Sequence, residues 1–541
     1  VGHTPGGSVG GPVFIPKIYN GKNKSFFFFS FETARGSAVN QLLNPTVPLE
    51  PWRGGNFSGV TQTIYDPMGG APFPGNMIPA NRINAVSQRI QDRFYPLPNR
   101  PAATLVSQNY QEMKQRPRDP STYWTVRGDH RFSDKDMVFG RFTFQRAYNR
   151  TYEGNLPTIG RRIQQRDNRA LAGSWTHTFR PTMLNEFRYG FALNNNPVEG
   201  PINGPSIVQE LGLVGLAPNL PDISGILKVN WAGIGLTGIT QPDYTRPGFR
   251  NFLQDFQDHV SWFRGKHNMK FGVNMTRVEW DSLNANPNLF GSVTFSSRFT
   301  SLNQAASTGG HPYADFLLGI PTNTARAFPP LRVDRTRWQY DFYFNDDWKL
   351  SQRLTVNLGL RYELHNPWRE EGGLTSMFDI GSGNIVVEDG ALSKVSPLFP
   401  RNYVGIVEAS TLGLPGRTLI RRDNNNIAPR VGLAWRPWGQ DTVIRAGFGL
   451  FYDVVPRNLN QGAIPFVLNE PGFTNAAGNP TVIFPRVFPA TGAAGPSTVG
   501  IPAAVNPNLK MPYSMQYNLT IEKQMWQTGF RVSYIDRKSV V

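Results

Sequence analysis

Between Arg353 and Leu364 the chain reads RLTVNLGLRYEL. Leu354, Val356, Leu358, Leu360, Tyr362 and Leu364 fall on one parity, and Thr355, Asn357, Gly359, Arg361 and Glu363 on the other. A period of two gives an extended strand one apolar face and one polar face. The stretch is close to the ~9–11 residues that a tilted strand uses to cross a bilayer. The alternation recurs in Phe187, Tyr189, Phe191 and Leu193, in Met269, Phe271, Val273 and Met275, and in Trp338, Tyr340, Phe342 and Phe344. It recurs again in Val431, Leu433 and Trp435, in Ile444, Ala446, Phe448, Leu450 and Tyr452, and in Tyr513, Met515, Tyr517, Leu519 and Ile521. The residues between them are mostly Gly, Ser, Thr, Asn, Gln, Arg or Glu.

The pattern predicts about thirteen strands whose connections alternate between very short and long. Thr122–Phe132 and Met137–Tyr148 flank the turn Ser133–Asp136, and Asp167–Phe179 and Thr182–Leu193 meet at Arg180-Pro181. Phe252–Phe263 and His267–Trp280 meet at Arg264–Lys266, and Val333–Leu350 and Arg353–Leu364 at Ser351-Gln352. Ile427–Pro437 and Thr442–Asp453 meet at Trp438–Asp441, and Pro512–Trp526 and Phe530–Ile535 at Gln527–Gly529. The long connections cover 35–121, 149–165, 194–248, 281–331, 366–426 and 454–510. Within them, Ile83, Val86, Ile90 and Phe94 predict a helix over Asn81–Phe94, and a short one falls at Tyr313–Leu318. Lys24–Ala34 is the odd strand: it carries Phe on both parities, the mark of a strand covered on both faces.

Soluble hairpin arrays also alternate, but nothing in them makes every second connection long. An outer-membrane barrel has short turns at one rim, long loops at the other, apolar-out strands and aromatic girdles. Trp175, Trp262, Trp280, Trp348, Trp435 and Trp526 all stand near predicted strand ends. The fold class expected is all-β, an antiparallel transmembrane barrel with long extracellular loops.

Composition agrees. No run approaches the ~18 apolar residues of a membrane helix, the most apolar being Phe26–Phe31. A mean hydropathy of -0.37 is compatible with a barrel, whose alternating strands hide from averages. The net charge of +17, from 55 Lys+Arg against 38 Asp+Glu, is spread along the chain. That weakens a nucleic-acid reading, which wants a basic patch, and suits an Arg-rich aqueous lumen. The absence of Cys excludes disulfides and thiolate metal sites. The opening Val1-Gly2-His3, without a basic or apolar leader, and the close in mid-strand at Tyr534–Arg537 read as an internal piece of a longer precursor.

Motifs for chemistry fail on context. Gly6–Gly10 matches G-x-S-x-G, but Gly6-Gly7 stand before Ser8 and Gly11-Pro12 follow, where a nucleophile elbow needs a strand and then a helix. Gly233–Gly238 matches G-x-G-x-x-G, yet Pro242 breaks the helix that a dinucleotide site requires. The seven His show no H-x-x-x-H or H-x-H spacing. Asp346-Asp347, Glu370-Glu371 and Asp423–Asn426 lack the spaced ligands of a calcium loop. No catalytic, cofactor or metal site is expected. The polar set that remains lies on inward parity: Arg141, Arg188, Asp341, Arg361, Glu363, Arg430 and Arg445. These side chains either guide a polar or anionic solute or pair across strands with carboxylates such as Glu186, Asp341 and Glu363. The loop aromatics Trp52, Tyr65, Phe73, Phe94 and Tyr95 equally suit ligand contact or loop packing.

Several stretches resemble the Oar-like, carboxypeptidase-regulatory-like-domain-containing branch of the TonB-dependent outer-membrane receptors. They are GGSVGGPVFIPKIYNGKNKSFFFFSFE (6–32), RGDHRFSDKDMVFGRF (127–142), GKHNMKFGVNM (265–275), ADFLLGIP (314–321), FYFNDDWKLSQRLTVNLGLRYE (342–363), NNNIAPRVGLAWRPWGQDTVIRAGFGLFYD (424–453) and NPNLKMPYSMQYNLTIEKQM (506–525). The resemblance implies a barrel of about 22 strands closed by an N-terminal plug. Residues 1–20 would be the end of the plug and its link, and 21–541 the N-terminal part of the barrel. It further implies gated uptake of a bulky substrate (an oligosaccharide, peptide or metal chelate), energised by a TonB-type inner-membrane complex through an upstream TonB box. No enzyme activity is expected. Two alternatives stand beside this: an adhesion or secretion-associated barrel without energised uptake, and a soluble secreted β-rich protein that binds glycan or nucleic acid.

Overall fold

The computed structural model describes residues 2–540 apart from 103, 106, 217–222, 246–247, 285–287, 329–330, 397–398, 455–463, 467, 470–471 and 490–499. Its main sheet has seventeen strands, three of them two-residue pieces at 2–3, 198–199 and 369–370. The other fourteen follow the chain in order. They are β1 (Gly6–Pro12), β2 (Ser25–Gly36), β3 (Ser121–Arg131), β4 (Asp136–Tyr152), β5 (Arg161–Arg180), β6 (Met183–Asn196) and β7 (Phe249–Arg264). Next come β8 (His267–Asn284), β9 (Leu331–Ser351), β10 (Leu354–His365), β11 (Asn426–Trp435), β12 (Thr442–Tyr452), β13 (Tyr513–Met525) and β14 (Thr528–Val540). Each pairs antiparallel with the next. Among the described residues β1 and β14 do not pair with each other and are the edges of the sheet.

The thirteen strands expected from alternation are present, and β1 is added. Alternation could not reveal it, because its sequence is GGSVGGP. A Cβ on Gly6 would stand 2.6 Å from the Phe31 carbonyl oxygen and one on Gly10 2.9 Å from that of Phe27. The ladder therefore needs glycine at both points. Several strands also run past their expected ends. The connection expected at 149–165 shrinks to 153–160, and β9 reaches 21 residues. The 149–152 and 161–166 extensions are mostly polar and do not alternate, so period-two reasoning does not see them.

Directly paired residues share a face, and the register carries one face round the whole sheet. Leu354, Val356, Leu358 and Leu360 lie on the same face as Phe342 and Phe344 of β9 and Val431 and Leu433 of β11. Among the described residues no second sheet covers this face: Phe342 is 46% exposed and Leu360 50%. The opposite face carries Asn357, Arg361, Glu363 and their partners. It is concave, because one cavity is lined from this side by six consecutive strands, β3 to β8. An exposed apolar belt outside a polar hollow inverts the water-soluble pattern and is what acyl chains solvate. In β2, Phe27, Phe29 and Phe31 join the belt, whereas Phe26 and Phe28 face the hollow at 42% and 40% exposure. The inner cover that the sequence led us to expect over them is not supplied by the described residues.

The long connections form a second region. Residues from 37–120, 153–160, 197–248, 285–330 and 453–512 share one apolar core around Trp52, Phe94, Phe295, Tyr313, Phe316 and Phe484. Four helices brace it: α1 (Glu50–Arg53), α2 (Ala85–Phe94), α3 (Gly204–Leu211) and α4 (Pro312–Leu317). The expected helix at 81–94 starts four residues later, where Asn84 caps α2 by accepting from the Val86 N–H at 2.9 Å. The 366–426 connection builds smaller clusters of its own around Ile385, Val387 and Phe399, and around Met377 and Val386.

Candidate functional site

The register places all seven candidates, Arg141, Arg188, Asp341, Arg361, Glu363, Arg430 and Arg445, on the concave face. Three of them meet. Asp341 pairs with Glu363 and Tyr343 with Arg361 across the β9–β10 hairpin. The guanidinium of Arg361 donates from Nη2 to Asp341 Oδ2 at 2.8 Å and from Nε to Glu363 Oε1 at 2.9 Å. His365, the last residue of β10, completes the group with Nε2 3.0 Å from Asp341 Oδ1. The cluster lies at the long-connection end of the wall. There Asn426 donates through Nδ2 to the Glu363 and Asp423 carbonyls, both at 3.2 Å.

The other four stand apart from it. Arg188 donates to Glu186 on its own strand at 2.8 Å, and Arg445 lies 3.5 Å from Glu522 on β13. Arg430 lays its guanidinium over the Phe451 ring at 4.6 Å, and Arg141 is exposed opposite Arg127. Cross-strand pairing thus accounts for Arg361 and Arg445, and pairing along the strand for Arg188.

Sequence reasoning missed the cavity beside them. It measures about 520 Å³ and is lined by Tyr123, Ala170, Leu253, Val278, Trp280 and Trp368, with the amides Gln145, Asn168, Asn194 and Asn251. Trp280 therefore faces the hollow rather than the outer girdle to which its position near a strand end assigned it. Trp368 comes from the connection after β10, so the cavity is bounded by both wall and loop.

Above it, the loop aromatics settle in favour of packing. Trp52, Phe73, Phe94 and Tyr95 are buried and Tyr65 half-buried. The ADFLLGIP segment is the knot of this region. Asp315 is fully buried and accepts from the Phe299 and Thr300 N–H groups, both at 2.9 Å, and from Thr300 Oγ1 at 2.6 Å. Burial pushes its carboxyl up to about 7. His311 caps α4, accepting through Nδ1 from the Tyr313 N–H at 3.2 Å, and packs edge-on against Trp52 at 4.5 Å. Burial pushes its imidazole down to about 4.

The outer membrane beta barrel domain model matches residues 2–540. The chain belongs to this family. The apolar convex belt of this outer-membrane barrel accordingly faces lipid. Among solved structures, the outer membrane transporter YddB from Escherichia coli is similar at 10% identity and a TM-score of 0.46, over 99% of this chain and 46% of that one. The ferripyoverdine receptor of Pseudomonas aeruginosa is similar at 8% identity and 0.40, over 99% and 47%. The FrpB iron transporter from Neisseria meningitidis follows at 9% and 0.39, over 99% and 52%. The barrel chain spans about half the length of these structures. No curated protein matches it.

Proposed function

We propose that this chain supplies the capped wall of a TonB-dependent receptor of the Oar-like type, taking up a bulky substrate across the outer membrane. The observation that carries the reading is the roofed hollow: a polar concave wall, a cavity of about 520 Å³ lined by six strands, and Trp368 brought over it from a long connection. Amides beside tryptophan and tyrosine suit a large uncharged or weakly polar ligand such as an oligosaccharide or peptide, which needs both hydrogen bonds and flat apolar contact. In this reading a plug joins the wall through residues 1–20, and Gly6–Pro12 lies in the sheet at that junction. A TonB-type inner-membrane complex pulls on the plug to open the path. The protein makes and breaks no bonds.

The test is energised accumulation. Cells that express the full receptor should concentrate labelled oligosaccharides or peptides, and should lose that ability when TonB is deleted or the proton gradient is collapsed. Surface attachment that survives both treatments would point to an adhesion barrel and overturn the uptake reading.

A further inference from the structure

Hydrogen bonds from Arg361 and to His365 gather three metal-ligating side chains at the β9–β10 rim. Asp341, Glu363 and His365 each bring one metal-ligating atom to a common point, within 4.8 Å of one another. His365 Nε2 lies 3.0 Å from Asp341 Oδ1 and 3.8 Å from Glu363 Oε2, and the second separation is too long for a hydrogen bond. Two N/O donors on a tetrahedral zinc-class ion, with bonds of about 2.0–2.1 Å, stand about 3.3 Å apart. On an octahedral ion they stand about 3 Å apart. The two His365 separations lie within about half an ångström of the tetrahedral spacing, and all three ligand atoms lie within 4.8 Å of one another, so seating an ion requires the carboxylates to draw inward.

Arg361 pre-sets the site. It holds Asp341 Oδ2 and Glu363 Oε1, the oxygens away from His365, and leaves Oδ1 and Oε2 turned inward. That is the orienting role of partners behind a metal ligand. The three residues are largely withdrawn from water, with Asp341 5% and Glu363 7% exposed and the His365 side chain 9%. Arg361, and Arg430 across from Gly359, offset the carboxylate charge. Zinc nonetheless binds sites of three neutral His, so this balance does not forbid a divalent cation.

We propose that Asp341, Glu363 and His365 form a binding site for a divalent transition-metal ion of the zinc class on the concave wall. The two β10 ligands are one residue apart, which puts them on one face of a strand, and the third faces them across the hairpin. No His–His spacing is needed. The site stands whether or not the receptor performs energised uptake.

The experiment uses the full chain purified in detergent and stripped with chelator. It is titrated with Zn²⁺ by calorimetry and with Co²⁺ by visible absorption. The expected result is one ion per chain with micromolar or tighter affinity. His365→Gln keeps an N–H toward Asp341 but removes the imidazole, and should weaken binding at least ~10-fold. Asp341→Asn should do the same, and His177→Gln, on the convex face, should change nothing. Heat-modifiable gel mobility shows which variants are folded, and His365→Gln alone decides if Asp341→Asn is not. Absence of saturable Zn²⁺ binding, or binding that His365→Gln leaves intact, would overturn the site and leave the cluster as a hydrogen-bonded strut.

Discussion

The wall and the cap of this protein are built from one chain by opposite rules. In the wall, large apolar side chains point out and stay uncovered, as Leu360 does at 50% exposure. In the cap, Phe316 is fully buried among Trp231, Phe295 and Tyr313, with ring centroids 5.2–5.4 Å apart. The wall's order comes from backbone ladders and borrows its apolar solvent from lipid. The cap excludes water by itself, as a soluble domain does. The same residue types therefore answer differently to substitution in the two regions.

The largest expected effect is in the cap. Phe316→Ala should destabilise it by ~3–5 kcal/mol, the usual cost of a large-to-small change in a closed core. Proteolysis should then cut the connections while heat-modifiable mobility shows the wall intact. Loss of both at once would mean that the two regions are one cooperative unit. Leu360→Arg should cost ~2–4 kcal/mol in liposome refolding, the price of a cation on the lipid face near mid-membrane. Asn357→Arg, on the concave face of the same strand, should cost little. Equal effects from the two would refute the assignment of faces.

Acid sharpens the contrast next. Asp315 holds its proton up to about 7 against an ordinary 3.8, so its contribution to cap stability is lost as pH rises through 7. His311 is held neutral down to about 4 against 6.5, so its contribution is lost as pH falls from 6.5 toward 4. The two slopes oppose each other, so wild-type melting followed by tryptophan fluorescence should vary less between pH 4 and about 7 than melting of either single variant. Asp315→Asn should leave a cap that strengthens as pH rises, and His311→Asn one that weakens. The smallest effect belongs to the wall's exposed ion pairs. Arg445→Ala, which leaves Glu522 paired with Arg531 at 3.5 Å, should change refolding stability by under ~1 kcal/mol.

The wall was legible in the sequence and the cap was not, for a physical reason. A strand between lipid and water writes its environment on alternate residues, so Leu354–Leu364 could be oriented without coordinates. The Asp341–Glu363 pairing was not legible: counting equally back from the turn at Ser351-Gln352 sets Asp341 opposite Tyr362, and the irregularity between Lys349 and Ser351 shifts the register by one. His365 was passed over because metal spacing was sought between histidines along the chain, whereas its partners are Glu363 beside it and Asp341 across the hairpin. Cap contacts have no such period. Asn84 donates to the Phe484 carbonyl 400 residues away at 3.0 Å, and Tyr95 donates to the Thr237 carbonyl at 2.6 Å. Nothing local encodes either bond. Trp280 shows the limit within the wall itself: nearness to a strand end says nothing about which face a tryptophan takes.

The 21-residue strand β9 is about twice what a bilayer crossing consumes, and its surplus runs on without a break toward the roof. A force on the roof therefore reaches the membrane through no hinge. It travels along the strand axes, so neighbouring strands are loaded in shear, with every rung of the ladder sharing the strain at once. Such a post resists tugging far better than a tethered lid.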